Sequence, residues 1–89
     1  MIPVTNKQKY KLADKLAPYF MNLKSFDRRT AFGVILNSPI KLNGAETSLK
    51  MAFSEEDAFH ITNLVLRRIG GRKEIVVDVN LIDDDDAPF

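Results

Sequence analysis

The sequence predicts an α+β fold, with helices packed on a small antiparallel sheet in the order α-β-β-β-α-β. Three observations carry this. Apolar residues recur at helical spacing near the start and again after residue 54, short apolar segments broken by turn residues lie between, and residues 73–82 alternate apolar with polar. A helix layer on one face of an antiparallel sheet satisfies all three. The sheet is expected to close in an OB-like manner or to be completed by a second copy. Residues 1–82 form one domain and residues 83–89 an acidic tail.

Thr5 or Asn6 can cap the first helix, because a short polar side chain accepts a bond from an otherwise unpaired backbone N–H. Leu12, Leu16, Phe20 and Leu23 then mark one apolar face, with Lys7, Lys11 and Lys15 opposite. Pro18 removes a backbone donor, so this helix kinks there or ends near Ala17. From Thr30 to Phe53 the pattern shortens. Phe32, Val34, Ile35 and Leu36 form an apolar run before Asn37-Ser38-Pro39, Ile40 and Leu42 flank Lys41, and Leu49, Met51 and Phe53 alternate with Lys50 and Ala52. Two or three antiparallel strands are expected here, with Asn43-Gly44 as a hairpin turn, since both residues tolerate positive φ. A helix over residues 27–36 is the competing reading, with Ser25 or Asp27 as its cap. Ser54 caps the next helix, acids at Glu55, Glu56 and Asp57 suit its positive end, and Ala58, Ile61, Val65 and Ile69 form its apolar face. Gly70-Gly71 ends it. Ile75, Val77, Val79 and Leu81 make the final strand.

With 89 residues, 45% of them apolar, the chain has room for one small core, and a homo-oligomer is expected to enlarge it. The absence of Cys removes disulfides, thiolate metal sites and cysteine nucleophiles, and one histidine cannot build a histidine metal cluster. No apolar run approaches the roughly 20 residues that span a bilayer, so no membrane contact and a cytoplasmic location are expected. Catalysis has little support: His60 has no motif-linked nucleophile, the Glu55–Asp57 acids are explained by their helix, and Gly70-Gly71-Arg72-Lys73 follows a helix instead of preceding one, unlike a phosphate loop. The expectation is a non-enzyme without cofactor or metal.

Charge is unevenly distributed. Residues 1–53 hold nine basic side chains against three acidic ones, whereas residues 83–86 are all aspartate. Candidate contacts for a phosphate backbone are Lys7, Lys9, Lys11 and Lys15 around Tyr10, then Arg28 and Arg29, then Arg67, Arg68, Arg72 and Lys73. Such clusters bind through counterion release, and an exposed aromatic beside them stacks on unpaired bases. Lysines along an amphipathic helix and arginines at a helix C-terminus also have purely structural explanations. Phe26, Phe32, Phe53 and Phe59 are expected in the core.

The segment Asp83, Asp84, Asp85, Asp86, Ala87, Pro88, Phe89 is the most specific feature. It resembles the acidic tip of bacterial single-stranded DNA-binding proteins, in which aspartates precede a closing Pro-Phe. The resemblance covers about these seven residues. It implies a docking peptide for replication, recombination or repair proteins, with the ring of Phe89 beside Pro88 in an apolar pocket, its carboxylate on a basic residue, and Asp83 to Asp86 along a positive ridge. An aromatic ring and a charge on one residue supply two anchors, and the neighbouring acids steer encounter. The expected function is therefore single-stranded DNA binding by the basic body with partner recruitment by the tail, in a phage or mobile element. A mimic that competes for the partners of the host's single-stranded DNA-binding protein, or a small helical adaptor with a solubilising tail, would share these features.

Overall fold

A computed structural model describes residues 1–70. In chain order these form α1 (Asn6–Leu16), a 3₁₀ helix (Ala17–Ser25), α2 (Arg28–Asn37), strands β1 (Ile40–Leu42) and β2 (Ala45–Thr47), a single turn α3 (Leu49–Ala52) and the long α4 (Glu55–Gly70). The fold is helix-rich with a two-stranded antiparallel sheet, so it is α+β only in a coarse sense. The expected order α-β-β-β-α-β and the OB-like closure are not what these residues form. The strand expected at 73–82, with Arg72, Lys73 and the whole of 83–89, lies outside the described residues.

Each α-helix start is set by a short polar side chain. Thr5 Oγ1 accepts from the Gln8 N–H at 3.1 Å while Gln8 Oε1 accepts from the Thr5 N–H at 2.9 Å, a complete capping box for α1. Asp27 caps α2 through the Thr30 N–H, Ser48 caps α3 through the Met51 N–H, and Ser54 caps α4 through the Asp57 N–H. At Ala17 the backbone tightens, with Pro18 in the first turn of the 3₁₀ segment. Ala17, Phe20 and Leu23 are all buried. That three-residue period is the one a 3₁₀ helix needs, because residues three apart eclipse.

Two expected strands are helices, for identifiable reasons. The run at residues 32–36 lies in α2, where Ala31, Ile35 and Leu36 turn inward and the Phe32 ring meets Phe59 of α4 edge-on, with centroids 5.3 Å apart. Asn37 Nδ2 donates to the Gly33 carbonyl and the Ser38 hydroxyl to the Val34 carbonyl, so the last turn satisfies its own acceptors before Pro39 stops it. The segment Leu49–Phe53 reads two ways in sequence. Leu49, Ala52 and Phe53 are buried while Met51 is 75% exposed, which is the i, i+3, i+4 pattern of a helical turn and excludes alternation.

The hairpin forms around the expected dipeptide, with Asn43 at φ 52° and Gly44 at φ 85°. Two consecutive positive φ values are what the tight two-residue hairpin turn requires. Its register pairs Ile40 with Thr47, Lys41 with Glu46 and Leu42 with Ala45, and Ile40 and Leu42 rest against the edge of the core. Three-residue strands provide no platform for a helix layer. The helices pack on one another instead: α4 touches α1, α2, α3 and the 3₁₀ helix, and its Ala58, Ile61, Leu64, Val65 and Ile69 meet Ala13, Leu16, Phe20, Leu23, Ile35, Leu49 and Phe53 in one core.

A basic face on the first helix

The solvent side of α1 is built by its period. Ala13 and Leu16 face inward with Lys9 one turn earlier, so Lys7, Lys11 and Lys15, spaced four apart, run along the outside as an exposed stripe. Tyr10 lies at the stripe's edge, partly exposed, under the guanidinium of Arg68 at 5.9 Å from the ring centroid. Asp14, the one acid of α1, accepts from Arg68 Nε. The Asp14 side of the Arg68–Asp14 pair is largely solvated, so the pair contributes modestly to stability and holds Arg68 across Tyr10.

Lys9 has a different role from its neighbours. It is 7% exposed, and its Nζ sits 2.9 Å from Asp57 Oδ1 and 3.1 Å from His60 Nδ1, both on α4. An ammonium only donates, so His60 Nδ1 is the acceptor and the ring proton resides on Nε2. The hydrogen bond from Lys9 holds the Asp57 carboxyl below its ordinary range. Burial, then the positive charges of Lys9 and Arg67, pushes the His60 imidazole below its ordinary 6.5, against the weaker opposing pull of Asp57 and Glu56. Lys9, expected among the phosphate contacts, is therefore spent on joining α1 to α4, because a cation on the buried side of the helix requires a partner. Its signal in the sequence is position: Lys9, Ala13 and Leu16 share one helical stripe.

This cluster predicts a pH dependence. A histidine whose folded pKa is depressed binds fewer protons when folded than when unfolded, so stability is full above the unfolded value and falls as pH drops through 6.5 toward the folded pKa. Thermal unfolding by circular dichroism between pH 7.5 and 5 should show a falling midpoint for the intact protein. In His60→Gln, whose side-chain oxygen can still accept from Lys9, the curve over that window should be nearly flat.

The remaining candidates fall into separate groups. Arg68 joins the α1 face through Tyr10 and Asp14, while its neighbour Arg67 is exposed on α4. Arg28 and Arg29 are exposed in the first turn of α2, which does not pack extensively on α1. Of the four phenylalanines expected in the core, Phe53 is buried and Phe32 half-buried, while Phe26 is 47% and Phe59 40% exposed. Comparison with protein-family models, curated proteins and solved structures finds no match. Among the described residues no three His, Asp or Glu side chains are grouped to hold a metal ion, and no helix is long and apolar enough to cross a membrane.

Proposed function

We propose that this protein is a non-enzymatic single-stranded DNA-binding protein of replication, recombination or repair, which lays α1 along the phosphate backbone. The observation that carries the reading is the Lys7–Lys11–Lys15 stripe, exposed along one face of α1. Lysines of such a stripe neutralise phosphates and release the counterions condensed on the strand, and Tyr10 with Arg68 extends it. Fluorescence anisotropy at low salt with an unstructured DNA strand, a duplex and an RNA strand of equal length tests it. The expected result is binding to the single DNA strand. No binding to any of the three would reject the reading.

The helical state of α2 favours one second reading, a small helical adaptor whose basic face meets an acidic protein surface. Absence of nucleic-acid binding at low salt, with retained binding to an acidic protein, would select it.

In the first reading the peptide at 83–89 has two tasks, recruiting partners through Pro88 and Phe89 and competing with DNA through its aspartates. Four carboxylates on the same chain as the basic face compete intramolecularly and so act at high effective concentration. Deleting residues 83–89 should tighten DNA binding several-fold at low salt and much less at high salt, where screening is strong. Phe89→Ala should leave this effect intact while weakening partner capture about tenfold or more, since burying a Phe side chain contributes roughly 1.5 to 3 kcal/mol. A variant with all four aspartates changed to Asn should tighten DNA binding at low salt as the deletion does.

A further inference from the structure

The junction between the 3₁₀ helix and α2 carries features that the stability of these elements does not explain. In the 3₁₀ helix the inward row is Ala17, Phe20 and Leu23, which leaves Tyr19 in the outward row with Asn22 and Ser25. Tyr19 is 79% exposed, the most exposed aromatic residue among those described, and Phe26, the extended residue that follows this helix, keeps nearly half its surface in solvent. Placing large rings in water has no folding benefit.

The charges nearby point the same way. Arg28 and Arg29 occupy the first turn of α2, where the helix macrodipole is positive and favours acids, so their position works against the helix that bears them. Asp27 does not offset them through an ion pair. Its carboxylate is turned to Thr30, accepting from the hydroxyl at 2.7 Å and from the N–H at 3.2 Å, and these bonds hold its pKa below the ordinary value. Lys24, in the last turn of the 3₁₀ helix, adds a third exposed cation, and none of the three forms an ion pair among the described residues.

We infer that Tyr19 and Phe26 form a base-stacking platform, flanked by Lys24, Arg28 and Arg29 as phosphate contacts, for single-stranded nucleic acid. The inference rests on the proposed DNA-binding function and assigns it a second contact surface, one that selects unpaired bases. Every base has a π-face, so stacking is tolerant of sequence, whereas a duplex keeps its faces covered. The cations match the occupant's charge. An acidic protein segment or a second copy of this chain would be a different occupant.

Tyrosine fluorescence tests it, because the chain has two tyrosines and no tryptophan. In Tyr10→Phe, Tyr19 is the sole strong emitter, and saturating oligothymidylate should quench it. Tyr19→Ala with Phe26→Ala should weaken oligothymidylate binding about tenfold or more and leave both the salt slope and duplex affinity unchanged. Tyr19→Ala alone, at a solvated position, gives a smaller loss in a chain that still folds, as circular dichroism would show. Arg28→Gln with Arg29→Gln should reduce the slope by about 1.4. Unchanged Tyr19 emission at saturation, or a double variant that binds like the intact chain while one with Lys7, Lys11 and Lys15 all changed to Gln does not, would overturn the platform and spare the α1 reading. Failure of the intact chain to bind at low salt would overturn both. Self-association that Tyr19→Ala abolishes would reassign the surface to a copy-to-copy contact and overturn the inference.

Discussion

Replacing Lys7, Lys11 and Lys15 together by Gln should lower affinity for an unstructured DNA strand by one to two orders of magnitude at low salt. The estimate follows from roughly 1 kcal/mol for each charged contact removed. Glutamine is nearly as good a helix former as lysine, and all three positions face solvent, so α1 and its capping box should persist. The salt dependence is the more diagnostic quantity. Each phosphate neutralised on a single strand contributes about 0.7 to the log-log slope, so losing three should flatten it by about 2. Changing Lys9 instead should act on stability, since its cation is buried against Asp57 and His60. Affinity that falls with Lys9→Gln but not with the triple change would invert the assignment made for α1.

Ile61→Ala should be the most damaging single substitution in the body of the protein. Its side chain is 0% exposed, on the face of α4 that meets the rest of the core. Truncating a buried Ile to Ala costs about 2 to 5 kcal/mol, the lost transfer energy plus the cavity left behind. Near the midpoint each kcal/mol moves a domain of this size by about 4 to 8 °C, so a shift of roughly 10 °C or more is expected in thermal unfolding. Asn63→Ala on the exposed side of the same helix should stay within about 0.5 kcal/mol of the intact chain. Equal midpoints for the two variants would deny α4 its place at the centre of the fold.

What could be read from the sequence divides along physical lines. The ends of α1, the hairpin turn and the start of α4 are legible because local chemistry sets them: Thr5 or Asn6 as cap and Pro18 as breaker, Asn43 and Gly44, and Ser54 act within three residues of their own position. α2 was legible only as an alternative. The Phe32 to Leu36 run suits a strand by composition, and what decides against it is packing of Ala31 and Ile35 into the core and of Phe32 on Phe59. α3 was misread because Leu49, Met51 and Phe53 alternate by coincidence in a stretch whose buried set is Leu49, Ala52 and Phe53.

The basic face was partly legible. Lys7, Lys11 and Lys15 followed from helical period alone, whereas the withdrawal of Lys9 depends on which part of α4 lies over α1. The same holds for Arg68, which Asp14 captures from 54 residues away. Phe26 was assigned to the core on residue type, and its exposure follows from where the 3₁₀ helix ends.

The central claim is that DNA lies along the solvent face of α1, and amide chemical-shift mapping of the protein titrated with oligothymidylate at low salt tests it most directly. The account predicts shifts concentrated at Lys7, Tyr10, Lys11 and Lys15 that are reversed by added salt. No shifts at low salt, or shifts confined to the hairpin Ile40–Leu42 and Ala45–Thr47, would contradict it.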